Sequence, residues 1–111
     1  MGITHIVLFK FKSSASPEDV DNICQKMLAL KDHCIHPTNR QPYIKSASGG
    51  IDNSPEGVQN GITHAFVMEF ENAEVRDYYV DKDPVHDEFK KLAGKVLEKA
   101  QVIDFSDGVF K

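Results

Sequence analysis

At 111 residues the chain has the length of one domain, enough to bury a core without a metal or a disulfide. Thirteen basic against seventeen acidic residues leave a net charge of −4, which excludes a basic nucleic-acid footprint and offers nothing to an anionic membrane surface. No run of about 18 apolar residues occurs, so no segment reads as a membrane span.

The predicted elements begin with a strand, Ile3 to Lys12, rich in Val, Ile and Phe and unbroken until Lys12-Ser13-Ser14. Ser16 then caps a helix, with Pro17 at its first position and Glu18 and Asp19 in the positive first turn. Val20, Ile23, Cys24, Met27 and Leu28 recur at the spacing of a buried stripe, and the helix fades near His33, before His36-Pro37. Tyr43 to Ser48 is a shorter strand stopped by Gly49-Gly50. Residues 49–61 are turn chemistry, a connection long enough to be mobile or functional. Ile62 to Phe70 is the second strong strand. Ala73 to Val80 is a short helix presenting Val75, Tyr78 and Tyr79. Asp83-Pro84 opens a third helix whose stripe is Val85, Phe89, Leu92, Val96, Leu97 and Ala100. Gln101 to Phe105 is the last strand, followed by an apolar tail at Val109-Phe110.

This order predicts a single α+β domain over 1–111, a ferredoxin-like split βαβ with a four-stranded antiparallel sheet covered on one face by helices. An internal echo supports it: Gly2-Ile3-Thr4-His5 leads into the first strand and Gly61-Ile62-Thr63-His64 into the third. Alternation places Ile3, His5, Val7, Phe9 and Phe11 on one face, and likewise Ile62, His64, Phe66, Met68 and Phe70. These aromatic-rich faces should meet the helices. The opposite faces hold Ile6, Leu8 and Val67, an apolar patch that a monomer would leave in water. A second copy packed sheet to sheet by two-fold symmetry would cover it, so a homodimer is expected.

Cys24 and Cys34 would stand about 15 Å apart on one continuous helix, too far for a disulfide. Two free thiols, and a start that lacks the features of a secretory signal, fit a cytoplasmic chain. His5 and His64 suit either satisfied core histidines or the polar groups of a small-molecule pocket. In an antiparallel register they stand four residues apart, roughly 14 Å, too far to share a metal. No third ligand has suitable spacing, and neither metal nor cofactor is expected. His86, in the first turn of the third helix, sits where a helix N-terminus disfavours imidazolium and leaves a neutral base. Tyr78 and Tyr79 precede it on the short helix. The plainer reading of the spacing alone is a solvated His86 and two packing tyrosines. No phosphate-binding glycine motif is present.

His5-Ile-Val-Leu-Phe-Lys-Phe-Lys12, Gly61-Ile-Thr-His64-Ala-Phe-Val-Met-Glu-Phe-Glu71, Arg76-Asp-Tyr-Tyr79, Asp83-Pro-Val-His86 and Val102-Ile-Asp-Phe105 together resemble the stress-responsive A/B barrel (dimeric α/β-barrel) family over nearly the whole chain. The resemblance implies a ferredoxin-like protomer whose sheet packs on its two-fold mate to close a barrel. The family includes heat-stable plant stress proteins, a hydroxynitrile lyase and a polyketide cyclase that makes olivetolic acid. By resemblance to the cyclase, His86 is the base and Tyr79 its tyrosine, with Tyr78 a rival. His5 and His64 hold substrate oxygens, and Phe9, Phe66 and Phe89 belong to the aromatic lining. The tyrosine-to-histidine spacing is one residue longer here, Asp83 stands where a His often precedes the Pro, and the segment from His36 to Asn60 is longer and more polar. The implied function is binding of a hydrophobic, aromatic or polyketide-like small molecule, with cofactor-free acid–base chemistry of the cyclase or lyase kind. The alternative is a non-catalytic stress-response protein acting through its stability or assembly. The expected partners are a second copy and the small molecule, with no nucleic acid and no membrane.

Overall fold

The structure, a computed structural model, describes residues 1–111. Its elements run β1 (Ile3–Phe11), α1 (Pro17–His33), β2 (Ile44–Ile51), β3 (His64–Phe70), α2 (Ala73–Asp81), α3 (Pro84–Gly94) and β4 (Leu97–Phe105). The strands form one antiparallel sheet in the order β2-β3-β1-β4, the ferredoxin-like arrangement expected from the order of elements.

Cap chemistry sets where the helices start. At α1 the Ser16 hydroxyl accepts from the Asp19 N–H (3.0 Å) while the Asp19 carboxylate accepts from the Ser16 N–H (3.1 Å), a reciprocal capping box. Ile23, Met27 and Leu30 then form its buried face. At α2 the Asn72 side chain accepts from the Val75 N–H (3.0 Å).

Most boundaries fall within two residues of the sequence expectation, β3 starting at His64 rather than Ile62, and two differ by more. β2 does not stop at Gly49-Gly50 but runs on to Ile51. Gly49 lies opposite Phe66, and a Cβ there would overlap the Phe66 ring and crowd the Ala65 carbonyl at 2.8 Å. The glycine admits the ring; it does not end the strand. The third helix ends at Gly94, where the Lys95 N–H turns back to the Leu92 and Ala93 carbonyls, and Leu97 and Ala100 belong to β4. In β4 they still face inward, Leu97 opposite Phe11 and Ala100 opposite Phe9. A strand period of two would set them on opposite faces; the irregularity opposite Lys10 and Phe11 turns both to the helix side, which the helical spacing of the sequence imitates.

The connection between β2 and β3 ties itself together. Gln59 Nε2 donates to Asp52 Oδ2 (2.6 Å) and to the Ser54 carbonyl (2.9 Å), and Asn60 (φ 56°) and Gly61 (φ 86°) turn the chain back through the left-handed region.

The two faces of the sheet differ. Val7, Phe9, Phe66, Met68 and Phe70 are buried on the helix side. On the other side Ile6, Leu8 and Val67 are joined by Ile103 and Phe105 of β4, 61% and 43% exposed. No helix is long and apolar enough to cross a membrane. Both cysteines are free.

Candidate functional site

The position of His86 follows from the way α3 begins. Asp83, almost wholly buried, caps the helix: its Oδ1 accepts from the N–H groups of Val85 (2.8 Å) and His86 (3.2 Å), and its Oδ2 accepts from the Tyr43 hydroxyl. The carboxylate thus ties the start of α3 to the start of β2. Burial and the neighbouring Asp83 push the Cys34 thiol up to about 12, so it stays protonated.

One turn of α3 then turns His86 inward. Its Nδ1–H donates to the Tyr79 carbonyl (2.8 Å), and its ring stacks on the Tyr79 ring with centroids 3.7 Å apart and planes at 14°. A carbonyl only accepts, so the proton sits on Nδ1 and Nε2 keeps its lone pair. Burial lowers the affinity of His86 for a second proton. The Tyr79 carbonyl partly opposes this, while the charges of Lys90 and His5 add to it. The result is a neutral imidazole with a free acceptor nitrogen. Tyr79 is wholly buried, its hydroxyl points to the Met68 sulfur (3.8 Å), and burial raises its pKa. Its carbonyl and ring orient His86; its hydroxyl does not touch the imidazole.

A second imidazole comes from the sheet. His5, 3% exposed, meets the edges of Phe70 and Tyr79, and its Nδ1–H donates to Asp104 Oδ1 at 2.6 Å. The other oxygen of Asp104 accepts from Arg76 Nη1 at 2.8 Å. No buried side-chain nitrogen or oxygen lacks a partner, so the unbonded Nε2 atoms of His5 and His86 are not sealed in the core. Both residues line one cavity of about 490 Å³, with Val7, Phe9, Tyr79 and Phe89 among its walls. No three His, Cys, Asp or Glu side chains converge as a metal site.

The structure therefore brings together His5, His86, Tyr79, Phe9 and Phe89. His64, Phe66 and Tyr78 are not part of that cavity's lining. His64 lies opposite Phe9, the expected four residues from His5 along the sheet. With Phe66 it lines a separate cavity of about 490 Å³ beneath α1, beside Cys24 and Leu28. Equal parity places the two histidines on one face, but the Val7–Phe66 pair lies between their levels in the ladder, with the Phe66 ring against that of Phe9 (centroids 5.4 Å apart). Tyr78 packs instead on Tyr43 and His36, with centroids 5.7 and 5.9 Å away. A wider groove of about 760 Å³ lies between α1 and α3 and shares only Phe89 with the candidate residues.

Sequence reasoning missed Asp104 and Arg76. The signal was present in Val102-Ile-Asp-Phe105: directly opposite His5 in register, Asp104 is an acid at an inward-facing strand position.

The comparisons with known proteins agree with this architecture. The model of the stress responsive A/B barrel domain matches residues 3–107. The chain belongs to that family. The stress-response A/B barrel domain-containing protein HS1 of Arabidopsis thaliana is 31% identical over 103 residues, covering 93% of this chain and 87% of that protein. Among solved structures, an Arabidopsis thaliana crystal structure is 30% identical and covers 98% of both chains at a TM-score of 0.79. The hydroxynitrile lyase of Passiflora edulis is 26% identical, covering 99% of this A/B barrel chain and 97% of the lyase at a TM-score of 0.77. A ferredoxin-like protein of Thermobifida fusca, described as dimeric, shares the fold at 22% identity and a TM-score of 0.72, over 96% of this chain and 91% of its own.

Proposed function

We propose that this A/B barrel protein is a cytoplasmic homodimer that binds an aromatic or polyketide-like small molecule beside His5 and His86 and acts on it by cofactor-free acid–base chemistry. The observation that carries the reading is the pair of imidazoles on one apolar cavity. Each has its Nδ1 occupied, by a carbonyl or a carboxylate, and its Nε2 unbonded. In an aldol-type closure, His86 Nε2 takes a proton from the carbon next to a carbonyl, and the electron pair moves to that oxygen as an enolate. The carbon then attacks a second carbonyl of the same molecule, and His86 returns the proton to the new alkoxide. His5 holds a substrate oxygen, and Tyr79 keeps His86 in place. In the lyase variant His86 Nε2 takes the hydroxyl proton of a cyanohydrin, the carbon–oxygen bond becomes a carbonyl as the bond to the nitrile carbon breaks, and the departing cyanide takes that proton; the likeness to the Passiflora edulis hydroxynitrile lyase favours including it.

The dimer reading rests on the uncovered apolar face around Ile6, Leu8, Val67 and Ile103, and relatives of this fold described as dimeric support it. Ile6→Asp is expected to convert a sedimenting dimer into single chains. The site is tested by turnover of a linear poly-β-keto thioester, by cyanide release from an aromatic cyanohydrin, and by ligand affinity in His86→Ala and His5→Ala. Unchanged values in both variants would remove the proposed pair. A second reading, a non-catalytic protein valued for its own stability or assembly, is favoured by the stress-response names of HS1 and of a second Arabidopsis thaliana relative. It predicts no turnover of either substrate and no affinity for a ring-sized ligand, and the cavity beside His5 and His86 counts against it.

A further inference from the structure

We propose that the molecule held beside His86 carries a negatively charged group, a carboxylate on an aromatic or similarly apolar body, and that Lys90 receives it. This deepens the reading of the cavity as a small-molecule site and rests on it. His86, Phe89, Lys90 and Ala93 fall at i, i+3, i+4 and i+7 of α3 and all line the cavity. One helix face therefore presents an imidazole, a ring, an ammonium and a small residue that leaves room. Lys90 leans back toward the end of α2, with Nζ 3.5 Å from the Val80 carbonyl. That long contact gives the side chain a direction without neutralising its charge.

The charges around it are uneven. Lys90 on α3 and Lys99 on β4 are the two lysines of the lining, and neither takes part in any of the molecule's ion pairs. The single acid of the lining, Glu98, is engaged by Lys10 at 2.8 Å. Asp104, behind His5, is held by both His5 and Arg76. On a chain of net charge −4, two unpaired cations at an apolar cavity run against the charge of the rest. A neutral ligand would use only the walls. A carboxylate would also make a charge-assisted hydrogen bond to Lys90, of the stronger kind available to an ionised pair.

Two probes with the same ring system separate these cases: 1-naphthoate, which is charged, and 1-naphthalenemethanol, which is not. Isothermal titration of the full chain is expected to give naphthoate about tenfold tighter binding than the alcohol. Lys90→Met should abolish that preference and leave the alcohol within about twofold. Lys91→Met, whose lysine pairs with Asp87 and does not line the cavity, should change neither. Added salt should weaken naphthoate alone. Equal affinity of the two probes for the unaltered protein, or naphthoate binding untouched by Lys90→Met, overturns the anion and leaves the cavity reading standing. Binding of neither probe overturns both.

Discussion

His5 and His64 each close the same four residues, Gly-Ile-Thr-His, on neighbouring strands and face the same way, yet their surroundings share almost nothing. His5 is buried at the cavity wall, with a carboxylate opposite it on β4 and aromatic edges around it. His64 is half-buried at the start of its strand, with the Thr63 hydroxyl 2.8 Å from Nδ1 and the edge of Phe11 beside it. A short motif fixes which way a side chain points. The strand across the ladder decides what it meets there, and only β4 supplies an acid.

Substitutions can break this contrast from either side. The largest effect is expected in catalysis: His86→Ala should lower turnover by about 10²–10⁴-fold, while His64→Ala changes it by less than about threefold. Steady-state kinetics on the two variants checks this. Gly49→Ala drives a Cβ into the Phe66 ring, the wall beside His64, and should lower unfolding free energy in urea by about 3 kcal/mol. Asp104→Ala leaves His5 buried without its acceptor and Arg76 short of one carboxylate. With Asp104 partly exposed, the expected loss is about 2 kcal/mol, against about 0.5 kcal/mol or less for Thr63→Val beside His64.

Acid sharpens the same comparison. His86 and His64 both have their pKa lowered by burial, so each takes a proton more readily in the unfolded chain than in the folded one. Stability is then full above the unfolded value of about 6.5 and is lost as pH falls through it toward the folded values. Urea denaturation across this range should slope less steeply in His86→Gln. In the unaltered protein the acidic limb of kcat/KM should lie below about 6.5, because His86 stays a base there.

Local chemistry made most of the fold legible. Ser16 with Asp19, and Asp83 with Pro84, mark helix starts through hydrogen bonds made within a few residues. The alternation in β1 and β3 fixed the shared face of the two histidines, and full antiparallel overlap of two strands of similar length gave the distance between them. What escaped depends on neighbours remote in sequence. Gly49 reads as a strand stop until Phe66 is seen lying over it. Leu97 and Ala100 keep a helical spacing, yet both belong to β4, where an irregularity opposite Lys10 and Phe11 turns them to one face. Tyr78 and Tyr79 are adjacent on a nine-residue helix, and only the docking of α3 selects which of them His86 stacks on. Asp104 shows in sequence as an acid at an inward-facing strand position, but its partner His5 is 99 residues away and only the β1–β4 register joins them.

β4 carries one more implication. Along it, Ile103 and Phe105 point to the uncovered face while Asp104 between them points to the opposite side, under His5. A mate seated on the first two residues would therefore press on the same few peptide groups that hold the acid in line. Dilution that parts the protomers should then slacken His5 before any helix loosens, so that site and assembly fade together through a single edge of the sheet.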